Sequence, residues 1–91
     1  MLKFEWDTAK AASNLRKHGV SFDEAGSVFL DPLASSGADP DHSVDEARYI
    51  TIGLSSLGRL LTVAHIYRSH VIRVVSARVA TCGERRLYEE N

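Results

Sequence analysis

With one cysteine, Cys82, the chain cannot close an internal disulfide or assemble a cysteine-based zinc site, which fits a reducing compartment. No strictly apolar run exceeds three residues (Val28-Phe29-Leu30), so no segment reads as a membrane span. The opening Met1-Leu2-Lys3-Phe4-Glu5-Trp6-Asp7 is already charged and patterned, and no signal peptide is expected. There is no internal repeat and no low-complexity tract. Lysine is missing from the second half altogether. What remains is 44% hydrophobic and 25% charged, the balance of an ordinary globule rather than a disordered tail. A chain of 91 residues is expected to form one domain, residues 1–91, in the cytoplasm.

The charge is divided. Residues 1–47 carry Lys3, Lys10, Arg16 and Lys17 against nine carboxylates, 4 − 9 = −5, whereas residues 48–91 carry seven arginines against Glu84, Glu89 and Glu90, 7 − 3 = +4. A net charge of −1 hides this split. As a whole the chain repels phosphate, so nucleic-acid binding would need a concentrated face. Arginine is suited to one, because its planar fork meets a phosphate or carboxylate at two points.

Local patterns predict the elements. Leu2 to Glu5 reads as a short strand. Asp7 is an N-cap for a helix running to about His18, and Gly19 is a left-handed stop. Lys17 and His18 sit at the negative end of that helix. Ser21-Phe22-Asp23-Glu24 reads as a capping box with Val20 and Ala25 as staple; its helix buries Phe22, Ala25, Val28 and Phe29 and stops at Asp31-Pro32. An edge strand is placed near Ala34 to Ser36. From Arg48 the period becomes two, with Ile50, Ile52 and Leu54 alternating against Tyr49, Thr51 and Gly53. Strands Leu60 to Tyr67 and Val71 to Ala77 follow, and Ile50, Ile52, Leu61, Val63, Ile72 and Val74 are the expected core of the sheet. Strict alternation on the last strand puts Ile72, Val74, Ser76 and Arg78 on one face and Val71, Arg73, Val75 and Ala77 on the other. Thr81-Cys82-Gly83-Glu84 is a second capping box, opening a terminal helix through Tyr88. The expected class is α+β: a small antiparallel sheet, a three-stranded meander plus one or two N-terminal or edge strands, packed with two N-terminal helices and a C-terminal helix.

Chemistry-bearing groups are few in kind. Arg48 opens one meander strand and Arg68 closes the next, and Arg78 ends the last; two readings stand, a phosphate clamp gathered at one sheet end by pairing, or strand-end arginines reaching into solvent. Histidine is the usual general base for a ribose hydroxyl near neutral pH. His18, at a helix end, and His42, in the acidic loop Asp39 to Glu46, are candidates; His65 reads as a packed sheet residue. That loop matches no metal-ligand spacing, and neither a metal nor another cofactor is expected. Lys10, Asn14 and Lys17 lie on one helical stripe. Trp6 and Tyr88 could stack on a base or fill a rim.

The run Phe4-Glu5-Trp6-Asp7, Lys10, Asn14, Lys17-His18-Gly19-Val20-Ser21-Phe22, Glu24-Ala25, together with the ending Ser76-Ala77-Arg78, Ala80-Thr81, Glu84-Arg85-Arg86 and Tyr88-Glu89, resembles the BrnT toxins. The likeness covers essentially the whole chain. It implies a RelE-like fold, metal-independent RNA cleavage, translation arrest, and inhibition by a ribbon-helix-helix antitoxin in a toxin–antitoxin hetero-oligomer. Promoter DNA would be contacted only through the antitoxin, and no membrane is involved. Cys82-Gly83 stands where relatives carry basic residues, which is expected to weaken the positive patch at the last helix. On this reading the chain is an endoribonuclease that leaves a 2′,3′-cyclic phosphate. Arg48, Arg68 and Arg78 hold the phosphate, and His18, Glu46 or His42 accepts the proton. Lys10, Lys17, Arg73, Arg85 and Tyr88 contact RNA. The alternative is a noncatalytic module whose arginine face docks an acidic partner.

Overall fold

A computed structural model describes residues 2–39, 41 and 46–90. Strand β1 (Lys3–Glu5) leads into helix α1 (Thr8–His18), where the Asp7 carboxylate accepts from the Ala9 and Lys10 amides at 2.8 and 3.0 Å. Gly19 closes α1 at φ 67°, a conformation that favours glycine, and its amide donates to the Leu15 carbonyl. Helix α2 (Phe22–Ser27) starts at Ser21, whose hydroxyl accepts from the Glu24 amide at 3.0 Å, and then tightens into a 3₁₀ turn over Val28–Leu30. The capping box expected there is only half made. Glu24 points instead to Arg59 and to Ser55, whose hydroxyl donates to Oε2 at 2.7 Å.

Strands β2 (Ser35–Ala38), β3 (Tyr49–Leu54), β4 (Leu60–Arg68) and β5 (Val71–Val79) precede helix α3 (Cys82–Glu89). At α3 the capping box is complete: Thr81 accepts from the Glu84 amide, and Glu84 accepts from the Thr81 amide. The sheet order is β1-β5-β4-β3-β2. β2 through β5 are antiparallel neighbours, but β1 runs parallel to β5, pairing Lys3, Phe4 and Glu5 with Val71, Ile72 and Arg73. The expectation of a purely antiparallel sheet is corrected to a mixed one. A three-residue strand has no local signal for its partner; packing of Phe4 on Phe29, ring centres 5.6 Å apart, accompanies its place beside β5.

Directly paired residues share a sheet face. On one face Leu61, Val63, Val74 and Ala77 pack with Val20, Phe22, Ala25 and Val28 of the α1–α2 layer. Gly53 lies on that face, paired with Leu61, and a Cβ there would come within 3.1 Å of the Val28 carbonyl, so a larger residue would have to push β3 and the 3₁₀ turn slightly apart. The other face carries Ile52, Thr62 and Arg78, and α3 reaches it by contacts of Glu84 with Thr62 and Arg78. The helices therefore lie on both faces. Of the six aliphatic positions expected in the core, Ile52, Leu61, Val63, Ile72 and Val74 are buried and Ile50 is half-buried.

The alternation expected on β5 breaks. His65 pairs with Val74 and the preceding Ala64 pairs with Ser76, so Val75 is an extra residue, a β-bulge. Beyond it the phase reverses. Ala77 joins Ile72 and Val74 in the core, while Ser76 and Arg78 join Arg73 on the opposite face, across from Ala64, Thr62 and Ile66.

Candidate functional site

The sheet face carrying α3 also carries arginines, and each of three is already engaged. Arg68 donates from Nε and Nη2 to Glu46, both at 3.0 Å, with Glu5 4.0 Å from Nη1. Arg73 donates to Glu5 at 2.8 Å, and Arg78 forms a two-point fork with Glu84 at 2.6 and 2.8 Å. The pairing holds the Glu46 carboxyl below its usual range, with the Arg68 hydrogen bond as the main cause. Arg78 drives Glu84 down to about 2, against the opposing effect of burial.

These arginines do not converge on one phosphate. Arg68 lies opposite Val71 and Arg78 opposite Thr62. Six positions along β4 separate the two ends, roughly 20 Å at strand rise. The clamp expected from Arg48, Arg68 and Arg78 is thus replaced by two stations. Arg68 and Arg73 lie near the β4–β5 turn, with Arg48 immediately before β3, where its carbonyl accepts from the Asp39 amide at 2.8 Å. Arg78 sits at the far end beside α3.

A groove lies earlier along β5 than Arg78. β1 pairs β5 only as far as Arg73, so from Val74 onward that edge of β5 has no strand beside it. α1 crosses there. Lys10, Ser13, Asn14, Lys17 and His18 of the helix, with Val75 and Ser76 of the bulge, line a cavity of about 240 Å³. Arg78 is two residues past Ser76 on the same face, about 7 Å along the strand. The seam is held by Asn14, which is buried. Its amide nitrogen donates to the carbonyls of Val20 and Ala77 at 2.9 and 2.8 Å, and its oxygen accepts from the Ala77 amide at 3.1 Å. Asn14 fills the ladder position that a neighbouring strand would take.

Other sequence candidates fall elsewhere. His42 lies outside the described residues, as does most of the acidic loop. The Tyr88 hydroxyl donates to Asp31 at 2.6 Å, clamping α3 to the segment after α2. Trp6 packs edge-on against Phe22, ring centres 6.0 Å apart. Arg85 is exposed on α3. His65 is fully buried; its Nε2 is 2.7 Å from the Thr51 hydroxyl and its ring meets Phe29 edge-on. A larger apolar cavity, about 690 Å³, lies between β1 and α2, lined by Leu2, Phe4, Trp6 and Phe22 among others; no basic residue lines it. Among the described residues no three His, Cys, Asp or Glu side chains group as a metal site, and no helix is long and apolar enough to cross a membrane.

Sequence reasoning missed Ser76, the clasp by Asn14 and the grip of Glu84 on Arg78. The first two depend on the bulge, which leaves no local mark. Glu84 was legible as a capping residue, and only the fold brings Arg78 to it.

The family model described as ribonuclease toxin, BrnT, of type II toxin–antitoxin system matches residues 6–84. Among solved structures, the crystal structure of the Brucella abortus ribonuclease toxin BrnT is similar in fold, with a TM-score of 0.64 and 23% identity over 89% of this chain and 99% of that one. No curated protein matches the chain.

Proposed function

The chain belongs to the BrnT family of ribonuclease toxins of type II toxin–antitoxin systems, and we propose that it cleaves RNA without a metal ion at the open edge of β5. The observation that carries this reading is the groove where His18, Lys10 and Lys17 of α1 face Ser76, with Arg78 next along the strand. His18 accepts the proton of a ribose 2′-hydroxyl. The 2′-oxygen then bonds to the adjacent phosphorus, the bond from phosphorus to the 5′-oxygen breaks, and that oxygen leaves as a hydroxyl with a proton from water. The product end is a 2′,3′-cyclic phosphate. Arg78 meets the charge that builds on the phosphorane, where a preorganised donor acts most strongly. Lys10 and Lys17 hold the scissile phosphate. Arg68, Arg73 and Arg48 at the other station meet phosphates further along the strand, and Arg85 is peripheral.

Glu46 is a poor base here, because Arg68 holds both of its oxygens and stabilises its ionised form. A noncatalytic dock for an acidic partner would use the same arginines, and Arg68, Arg73 and Arg78 each already hold a carboxylate, so cleavage by the purified protein is what separates the two readings. Translation arrest follows from cleavage of messenger RNA. The partner is a ribbon-helix-helix antitoxin, joined in a hetero-oligomer that contacts promoter DNA through the antitoxin.

Single-turnover cleavage of a mixed-sequence single-stranded RNA tests the assignments. Arg78→Ala is expected to slow cleavage about a hundredfold, equivalent to about 3 kcal/mol of lost transition-state contact, with a much smaller change in RNA affinity. Arg78→Lys recovers little, since a point charge does not reproduce the fork. His18→Ala is expected to lose about 10²–10⁴-fold, and Glu46→Gln far less. Full activity in both Arg78 variants contradicts the site. Equal losses from His18→Ala and Glu46→Gln contradict the choice of base.

A further inference from the structure

We propose that Glu84 is a positioning residue of the cleavage site: its carboxylate fixes the orientation of the Arg78 guanidinium, so that the remaining donors of that group face the phosphate. The inference deepens the ribonuclease reading and rests on it.

A guanidinium has five N–H donors. Glu84 takes one from Nη1 and one from Nη2, end-on, at 2.6 and 2.8 Å. Three remain: Nε–H and one on each Nη. The side edge formed by Nε and its neighbouring Nη is itself a two-point match for a phosphate. Arg78 can therefore hold both anions at once, and the first determines the plane in which it meets the second.

Glu84 can do this because it is itself held. Its Oε1 accepts from the Thr81 amide at 2.9 Å and from the Thr62 hydroxyl at 2.9 Å. One carboxylate thus ties β4, β5 and the start of α3 together, and a long flexible side chain becomes part of that frame. Arg68 differs. Its partner Glu46 and the arginine itself are both substantially exposed, at 42% and 50%, so the pair is free to move with its surroundings. Unlike Arg68, Arg78 is aimed by a fixed carboxylate, as transition-state stabilisation requires.

A surface selected only to bind RNA gains nothing from this carboxylate, which cancels the arginine charge and repels phosphate. The sign of one substitution therefore decides. Glu84→Gln keeps the length of the side chain and a capping-box residue at this position. It replaces one oxygen of the fork with an amide donor that faces the donors of Arg78. Expected is at least a tenfold fall in kcat, measured well below the melting transition, with affinity for a 2′-O-methyl RNA unchanged or tighter and a lowered melting temperature. In an Arg78→Ala background, Glu84→Gln adds no further loss. Thr81→Ala, which removes the other half of the cap, lowers the melting temperature and leaves kcat in place. A Glu84→Gln protein that cleaves at the wild-type rate or faster, while Arg78→Ala is slow, overturns the inference and leaves the ribonuclease site standing. So do losses that multiply in the double variant. Wild-type activity in Arg78→Ala removes the site reading, and the inference with it.

Discussion

His18 and His65 place the same imidazole in opposite surroundings. His18 is exposed at the end of α1, beside two lysines and the bulge of β5, open to a substrate. His65 is sealed between Phe29, Tyr49 and Tyr67, and burial pushes its pKa down from 6.5 to about 4. It serves the fold as a neutral ring bonded to Thr51, and it is no base for external substrate. A folded pKa below the unfolded value makes its contribution complete above pH 6.5 and lost as pH falls toward 4, because the unfolded chain takes the proton first. The loss is about 3 kcal/mol over that window, to order of magnitude. The corresponding loss from Glu84 begins only below 4.5 and runs toward 2, so the two are separable. Urea unfolding at pH 7, 6, 5 and 4.5 should show the decline in wild type and a flatter profile in His65→Gln. Equal slopes in the two proteins contradict the assignment to His65.

At the scale of elements, the proposed site depends on β5. Its bulge turns Ser76 and Arg78 away from the core, and its short pairing with β1 leaves an edge that α1 occupies. Asn14 closes that edge with bonds to Val20 and to both backbone groups of Ala77. Asn14→Ala should cost about 3 kcal/mol, since it strips partners from buried backbone groups. Amide hydrogen exchange is the sharper check: the Ala77 N–H should lose protection disproportionately, and unchanged protection there would contradict the clasp. The helices, the turns and most strand positions were legible because their signals are local: Asp7, Gly19, Ser21, Thr81, and alternation in β3. The parallel place of β1, the bulge at Val75 and the convergence of Glu84 on Arg78 were not. Each depends on which distant segment lies alongside. The strict alternation assumed for β5 therefore put Arg78 on the wrong face, and the clamp drawn from strand ends ignored the register of β4. The cationic residues themselves were identified from sequence; their grouping required the fold.

Across the whole molecule, the opposition of an acidic and a basic half is partly satisfied within the chain. Glu24 pairs with Arg59, Glu46 with Arg68 and Glu5 with Arg73, each a first-half carboxylate on a second-half arginine. Arg78 is different in kind, tied to Glu84 of its own half. A basic half whose arginines are largely paired within the chain suits ordered contact with a few phosphates better than a broad electrostatic attraction. It also concentrates the account on one claim, that this protein breaks RNA by using the ribose hydroxyl and its own cations. The most direct measurement is end-group analysis of RNA cleaved by the purified protein in EDTA, beside a substrate of the same sequence made with 2′-deoxyribose throughout. The account predicts undiminished cleavage in EDTA, 2′,3′-cyclic phosphate ends that hydrolysis can open, and an intact deoxy substrate. Cleavage abolished by EDTA and restored by a divalent metal, or cutting of the deoxy substrate, would contradict it.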